Sequence, residues 1–426
     1  MIIDQVNTFL EGGAAVAARR LHQALLDRGV DSRFWYSPKY QSEPPDVTFY
    51  PAPWPIAESS AVRAAGAAVR RVFRWAYLRL QRAYYRQGRR PRRGVFEGPR
   101  QAWETPYRRE CLSGELLHLH WIEKLIDYPS FFRTLPDELP VVWTLHDMNP
   151  LTGGCHHAEE CMAYASQCGD CPLLARPGKR DLAARNFQLK RAAFRGKRLH
   201  IVTPSRWLER RVRQSPLLAE AQSIRTIHNG LDLRQFAPMD KTAARRQLGL
   251  PDDAFVAAYG AASLEIGSKG IAEFLAALPR LSPSQRPRGL LFGRGSAPAS
   301  AGGVELLNCG FLATPEDQVP VYSAADVFVL PSHAENMPQT VVESLACGTP
   351  VVAFAVGGVP EIVRPGETGL LARLRDVEHL AEQLRWMADH RETCVRMGAA
   401  GRRLVEGEFD HAQQVGKYLA LYRDLT

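Results

Sequence analysis

With 426 residues, 45% of them apolar and 23% charged, the chain can bury a sizeable core, and its length fits two or three domains, with two the working number. No apolar run is long enough to span a bilayer, and the opening MIIDQVNTFLEGG lacks the basic and apolar regions of a secretory signal, so a cytoplasmic protein is expected. The net charge of +9 comes from one segment: residues 61–100 hold twelve arginines against Glu97, a local +11, so the rest of the chain sums to −2.

Taken in chain order, the first feature is the pair Gly12 and Gly13, which by itself reads as a tight turn. Next comes the arginine-rich stretch over residues 61–93, in which Trp75, Tyr77, Tyr84 and Tyr85 recur at roughly helical spacing. It suits an anionic membrane surface, with a solvated basic helix packed by its apolar face as the alternative. Short apolar runs then alternate with amphipathic stretches, the pattern of parallel sheets with crossover helices. In the first half these are LLHLHW (116–121), VVWTLHD (141–147), LHIVTPS (199–205) and SIRTIHNG (223–230). In the second half they are AFVAAYGA (254–261), GLLFGRG (289–295), VELLNCG (304–310), DVFVLPS (326–332) and PVVAF (350–354). The break between two α/β units falls near residues 231–240.

Between the second and third runs lies CHHAEECMAYASQCGDCP. Cys155, Cys161, Cys168 and Cys171, with His156 and His157 beside them, offer soft ligands for a structural zinc, and the closing CxxC has knuckle spacing. Eight cysteines in a reducing compartment read as free thiols or metal ligands before disulfides.

Open parallel sheets bind ligands at the carboxyl ends of their strands, which draws attention to Gly12, Gly13, His146, Lys269, Gly293 and HAENMPQTVVESLACGTPVVAF (333–354). In that last segment Pro338 suits the first turn of a helix running through Glu343 to about Cys347, with Gly348 as the stop. The N-terminus so formed is a ready site for a phosphate. Glu335 on one side and Glu343 on the other can accept hydrogen bonds from sugar hydroxyls flanking a diphosphate. Taken alone, either glutamate reads as a solvated surface residue, His146 as a core histidine, and Lys269 as the start of a helix.

The stretch ADVFVLPSHAENMPQTVVESLACGTPVVAFAVGGVPEIVRPGETGLLA resembles the donor-binding signature of retaining glycosyltransferases of family 4, as found in bacterial polysaccharide biosynthesis, including the two-glutamate element at Glu335 and Glu343. EGGAAVAARRLHQALLDRGVDS, TLHDMNPLTGGC and IHNGLDLRQFAP resemble the family's first loop and helix, its histidine strand end and its interdomain connection. The resemblance implies a GT-B fold of two Rossmann-like, doubly wound α/β domains facing across a cleft. Residues 1–236 would form the acceptor-side domain, with the basic segment 61–100 and the Cys-rich loop 153–172. Residues 237–408 would bind the nucleotide-sugar, and 409–426 would form a helix crossing back.

It further implies a catalytic set of Glu335 against the transferred sugar, Lys269 against the diphosphate and His146 near the donor sugar. Gly12, Gly13, Thr340 and Glu343 join the donor contacts, Glu343 at the ribose. Phe311 and Leu312 are candidates against the base, and Asn336 and Met337 against the sugar. No divalent metal is expected in the chemistry. Retention is explained by same-face attack, with the leaving phosphate taking the acceptor's proton. Many members place an arginine shortly before the lysine, whereas AASLEIGSKG has none, and Arg206 and Arg294 are the candidate substitutes.

The expected partners are a nucleotide-diphosphate sugar, a saccharide or polyprenyl-linked acceptor in exopolysaccharide, capsule or O-antigen assembly, and an anionic membrane inner face through residues 61–93. A GT-B phosphorylase or an inactive nucleotide-sugar sensor would keep the fold and change the outcome. A basic, zinc-containing nucleic-acid binder would use the arginines and cysteines but leave the two glutamates without purpose, so no nucleic-acid partner is expected.

Overall fold

A computed structural model describes residues 1–40, 45–53, 95–101 and 104–426; the segment 61–93, to which the sequence assigns membrane docking, lies outside the described residues. The chain divides into two units, one made of Met1–Ile227 with Tyr418–Thr426, the other of His228–Lys417.

The first unit is built on strands β1 (Ile2–Val6), β2 (Asp31–Tyr36), β3 (Phe49–Pro51), β4 (Leu116–Leu119), β5 (Val141–Thr144), β6 (Leu199–Thr203) and β7 (Ser223–Thr226). They form a seven-stranded sheet in the order β3-β2-β1-β4-β5-β6-β7, with parallel pairing throughout. β4, β5 and β6 are buried along their whole length, which is why they read as unbroken apolar runs. Side-chain caps start the crossover helices: Asp127 accepts from Ser130 N, Asp181 from Ala184 N and Ser205 from Leu208 N.

The second unit carries β8 (Phe255–Ser263), β9 (Pro287–Arg294), β10 (Ser300–Ala301), β11 (Val304–Asn308), β12 (Val327–Leu330), β13 (Val351–Phe354) and β14 (Gly369–Ala372), in the order β10-β11-β9-β8-β12-β13-β14. Only the short β10 runs antiparallel to its neighbour. Where β12 begins, Asp326 is gripped by Lys241 Nζ at 2.7 Å, Arg245 Nη2 at 2.8 Å and the Val256 amide at 2.8 Å. This ties the helix Lys241–Leu248 to two central strands.

Each apolar run read from the sequence is a strand, but β1, β2, β3, β10 and β14 escape that reading. In β1 the polar residues are buried and satisfied inside the fold: Asp4 accepts from Trp35 Nε1 at 2.8 Å and from the Gly114 amide at 2.7 Å. The division after residue 236 is also displaced. Leu231 donates its amide to Phe409 O (2.8 Å), His411 N donates to Leu231 O (3.1 Å), and Phe236 packs in the second core, so 228–236 belong to the second unit. The closing helix, His411–Arg423, contributes its residues up to Lys417 to the second unit and those from Tyr418 to the first.

Candidate functional site

In the second unit the helix Gln339–Ala346 follows β12, and Pro338 stands just before it rather than within its first turn. The Pro338 carbonyl accepts from Val341 N at 3.2 Å, and Gly348, at φ +76°, lies just beyond the helix end. Glu335 precedes this helix, and Lys269 reaches it from the turn after β8: Nζ donates to Glu335 Oε1 at 2.7 Å. Two close approaches hold the lysine turn against the glutamate segment. His333 N donates to Ser268 O at 2.9 Å, and Gly270, at φ +80°, sits where an added Cβ would meet Pro331 O at 1.9 Å. His333 also pairs with Glu273 at 2.6 Å.

Glu343 is no surface residue. Its side chain is buried within the helix and accepts from Tyr322 OH at 2.8 Å. Asn336 and Met337 are buried, Thr340 is half-buried, and Phe311 is exposed with the Arg294 guanidinium 3.7 Å from its ring centroid. The next residue, Leu312, gives its carbonyl to Gln318 Nε2 at 3.0 Å. Arg294 is thus engaged with an aromatic face, and Arg206 begins a helix of the first unit.

Gly357, at φ +55°, passes under Glu335 so closely that a Cβ there would lie 1.7 Å from its carbonyl oxygen. Gly357→Ala is expected to push the Glu335 segment aside and to cost about 1–3 kcal/mol of stability in backbone strain. Thermal melting measures this, and an unchanged melting temperature would mean that the Glu335 carbonyl gives way without cost.

In the first unit Gly12, at φ +92°, caps the helix Gly13–Leu26, and an added Cβ at either glycine would meet nothing within 4 Å. Backbone is therefore open to a ligand at this helix start. His146 follows β5; its Nε2 lies 3.2 Å from His120 Nδ1, and the two rings stack. Burial pushes the His146 pKa down to about 4 against the opposing pull of Asp147, so the ring is neutral near pH 7.

Behind it stands a buried charge cluster that the sequence reading missed. Asp147 accepts from His156 Nδ1 at 2.6 Å and Trp121 Nε1 at 2.8 Å. Glu123 accepts from Tyr128 OH at 2.9 Å, and Lys190 Nζ donates to Asn149 Oδ1 at 2.7 Å. Burial lowers the Lys190 pKa to about 8 despite Glu123 nearby. The available signal was the close spacing of Asp147, Asn149 and His156 just after the run VVWTLHD, where strand ends carry chemistry.

Cys155, Cys161, Cys168 and Cys171 line one cavity of about 20 Å³, and all four are free thiols. The Gly153 amide donates to Cys168 Sγ at 3.2 Å. Among the described residues no group of three or more His, Cys, Asp and Glu side chains stands ready to hold a metal ion.

Residues 256–390 match the family profile described as Glycosyl transferases group 1. This stretch is a glycosyl transferases group 1 domain. The group 1 domain contains Lys269, Phe311, Leu312, Glu335, Asn336, Met337, Thr340 and Glu343, while Gly12, Gly13, His146 and the four cysteines lie outside it. The chain is 34% identical over 224 residues to D-inositol 3-phosphate glycosyltransferase 1 of Catenulispora acidiphila, covering 48% of this chain and 52% of that protein. It is 36% identical over 179 residues to the D-inositol 3-phosphate glycosyltransferase of Mycobacterium avium, covering 39% and 41%. The chain thus spans about half the length of the curated relatives it matches.

Solved structures extend the likeness beyond the group 1 domain. Sucrose-phosphate synthase from Thermosynechococcus elongatus superposes with a TM-score of 0.67 at 19% identity, covering 99% of this chain and 98% of the other. Anabaena Alr3699/HepE, in complex with UDP and glucose, gives 0.64 at 16% identity with 100% of both chains covered. These likenesses carry the fold, which is GT-B. Among the described residues no helix is long and apolar enough to cross a membrane.

Proposed function

We propose that the protein is a retaining glycosyltransferase that moves a sugar from a nucleotide-diphosphate donor to a saccharide acceptor, lipid-linked, in cell-surface polysaccharide assembly. The observation that carries this reading is the Lys269–Glu335 pair at 2.7 Å, set ahead of the helix that buries Glu343, all within the group 1 domain. Breaking the anomeric bond leaves negative charge on the diphosphate, and a preorganised ammonium beside a helix start stabilises it as it develops. In the donor-free state Lys269 and Glu335 satisfy each other. With donor bound, the lysine turns to the phosphate and the carboxylate takes sugar hydroxyls, while Glu343 takes the ribose. Same-face attack, with the leaving phosphate accepting the acceptor's proton, needs no divalent metal. His146, Gly12 and Gly13 are the contribution proposed for the first unit.

The test is transfer to lipid-linked saccharides from a panel of nucleotide-sugars, starting with UDP-hexoses because Alr3699/HepE was solved with UDP-glucose. Donor hydrolysis without acceptor identifies an active enzyme; donor binding with neither hydrolysis nor transfer would make the protein a sensor. Anchoring to the membrane inner face is proposed for residues 61–93, and liposome binding that survives their removal would refute it.

Although the four thiols are not gathered into a metal-holding geometry, they are proposed as ligands of a structural zinc, on their soft donor set and shared cavity. Protein purified without a histidine tag is expected to hold stoichiometric zinc. Metal-free, fully folded protein would end that assignment.

A further inference from the structure

A file of hydrogen-bonded side chains crosses the first sheet and ends on His146. It begins on the exposed carboxylate of Asp46, whose Oδ1 accepts from Thr48 N at 2.8 Å and from Thr48 Oγ1 at 2.5 Å. Thr48 Oγ1 is 2.9 Å from His22 Nε2, and His22 Nδ1 is 2.8 Å from Ser32 Oγ. Gln5 Nε2 donates to Ser32 Oγ at 2.8 Å, while Gln5 Oε1 is 2.9 Å from His120 Nε2. His120 Nδ1 then meets His146 Nε2 at 3.2 Å. Thr48 stands just before β3, Ser32 lies in β2, Gln5 in β1, His120 just after β4 and His146 two residues after β5, so the file follows the sheet order β3-β2-β1-β4-β5. His22 joins it from the helix Gly13–Leu26.

The direction of every bond follows from the first. An ionised carboxylate accepts and cannot donate, so the Thr48 hydroxyl proton points at Asp46 and its oxygen must accept from His22. A neutral imidazole has one N–H; with that on Nε2, His22 Nδ1 is bare and Ser32 must donate to it. The Ser32 proton is then used, so its oxygen accepts the Gln5 amide, which turns Gln5 Oε1 toward His120. His120 therefore carries its proton on Nε2, leaving Nδ1 to accept from His146 Nε2. Gln5 Nε2 also lies 3.4 Å from His22 Nδ1, a contact that suits a bare nitrogen there. Burial keeps the rings neutral, with His22 pushed down to about 4 and His120 well below its usual range.

We propose that Asp46, through Thr48, His22, Ser32, Gln5 and His120, holds the His146 proton on Nε2 and leaves Nδ1 bare. With the opposite polarity, His22 would present a bare Nε2 to the Thr48 oxygen, two lone pairs facing each other at 2.9 Å. The consequence for chemistry rests on the reading of His146 as a donor-sugar residue. An Nδ1 without a proton is an acceptor only and cannot donate to a phosphate oxygen. Asp46 and the residues of the file are positioning groups.

Ring nitrogen-15 spectra of the full-length protein, assigned by single histidine replacements, test this without requiring any transfer reaction. Wild-type His22, His120 and His146 are each expected to show a protonated Nε2 and a bare Nδ1. Asp46→Ala, on an exposed residue, and Thr48→Val are expected to convert the His146 signals to a mixture of both tautomers, and Thr48→Ser to keep the wild-type form. A His146 proton found on Nδ1 in the wild type overturns the proposal. So do His146 signals unmoved in Asp46→Ala, the variant that carries the test should Thr48→Val fail to fold. A tautomer shift with unchanged turnover supports the file and removes His146 from the proposed chemistry.

Discussion

In the proposed transfer reaction, Lys269→Ala is expected to lower turnover of the sugar donor by about 10²–10³-fold, the loss typical of deleting one preorganised group aimed at developing charge. The side chain is 36% exposed and its partner Glu335 is 11% exposed. Removing a half-exposed ammonium should leave the melting temperature nearly unchanged, since such pairs contribute little to stability. Lys269→Arg keeps the charge but spreads it over a wider planar group, and should recover part of the rate. Steady-state kinetics with the true donor, paired with thermal melting, separates a chemical from a structural role. Turnover preserved in the alanine variant would remove the lysine from the mechanism.

Asp326→Ala is expected to be the most destabilising change proposed for the second unit, costing about 3–5 kcal/mol as breaking a buried ion pair typically does. The carboxylate serves Lys241, Arg245 and the Val256 amide together, and the Arg245 side chain is only 3% exposed. Losing Asp326 strands a buried guanidinium, although Arg245 also donates to Ala324 O at 3.1 Å. Replacing both partners with apolar residues, Asp326→Leu with Arg245→Met, should recover much of the loss because no charge is left unpaired. Urea unfolding of the single and double variants measures both. A single-variant loss under about 1 kcal/mol, the range of exposed pairs, would mean that water already reaches the arginine.

The parallel sheets were legible because strands covered on both faces must be apolar throughout: Val351–Phe354 and Val327–Leu330 are buried at every position. The helix carrying Glu343 was legible from a proline before it and a glycine after it. β1 was hidden because Asp4 and Gln5 look like surface residues until Trp35, Gly114, Ser32 and His120 are brought to them from far along the chain. The Lys269–Glu335 pair joins residues on separate crossovers, and periodicity carries no information on that pairing. The burial of Glu343 was hidden for the same reason, since its partner Tyr322 comes from the preceding helix.

At Leu231 the outgoing chain holds the returning chain through two amide bonds to Phe409 and His411. The second unit is therefore a looped insert whose two feet are already clasped. Such a cassette is suited to production apart from its host, because cutting just outside the clasp leaves no long gap to close. Residues 228–417 offer a fragment in which the proposed nucleotide affinity can be measured by itself.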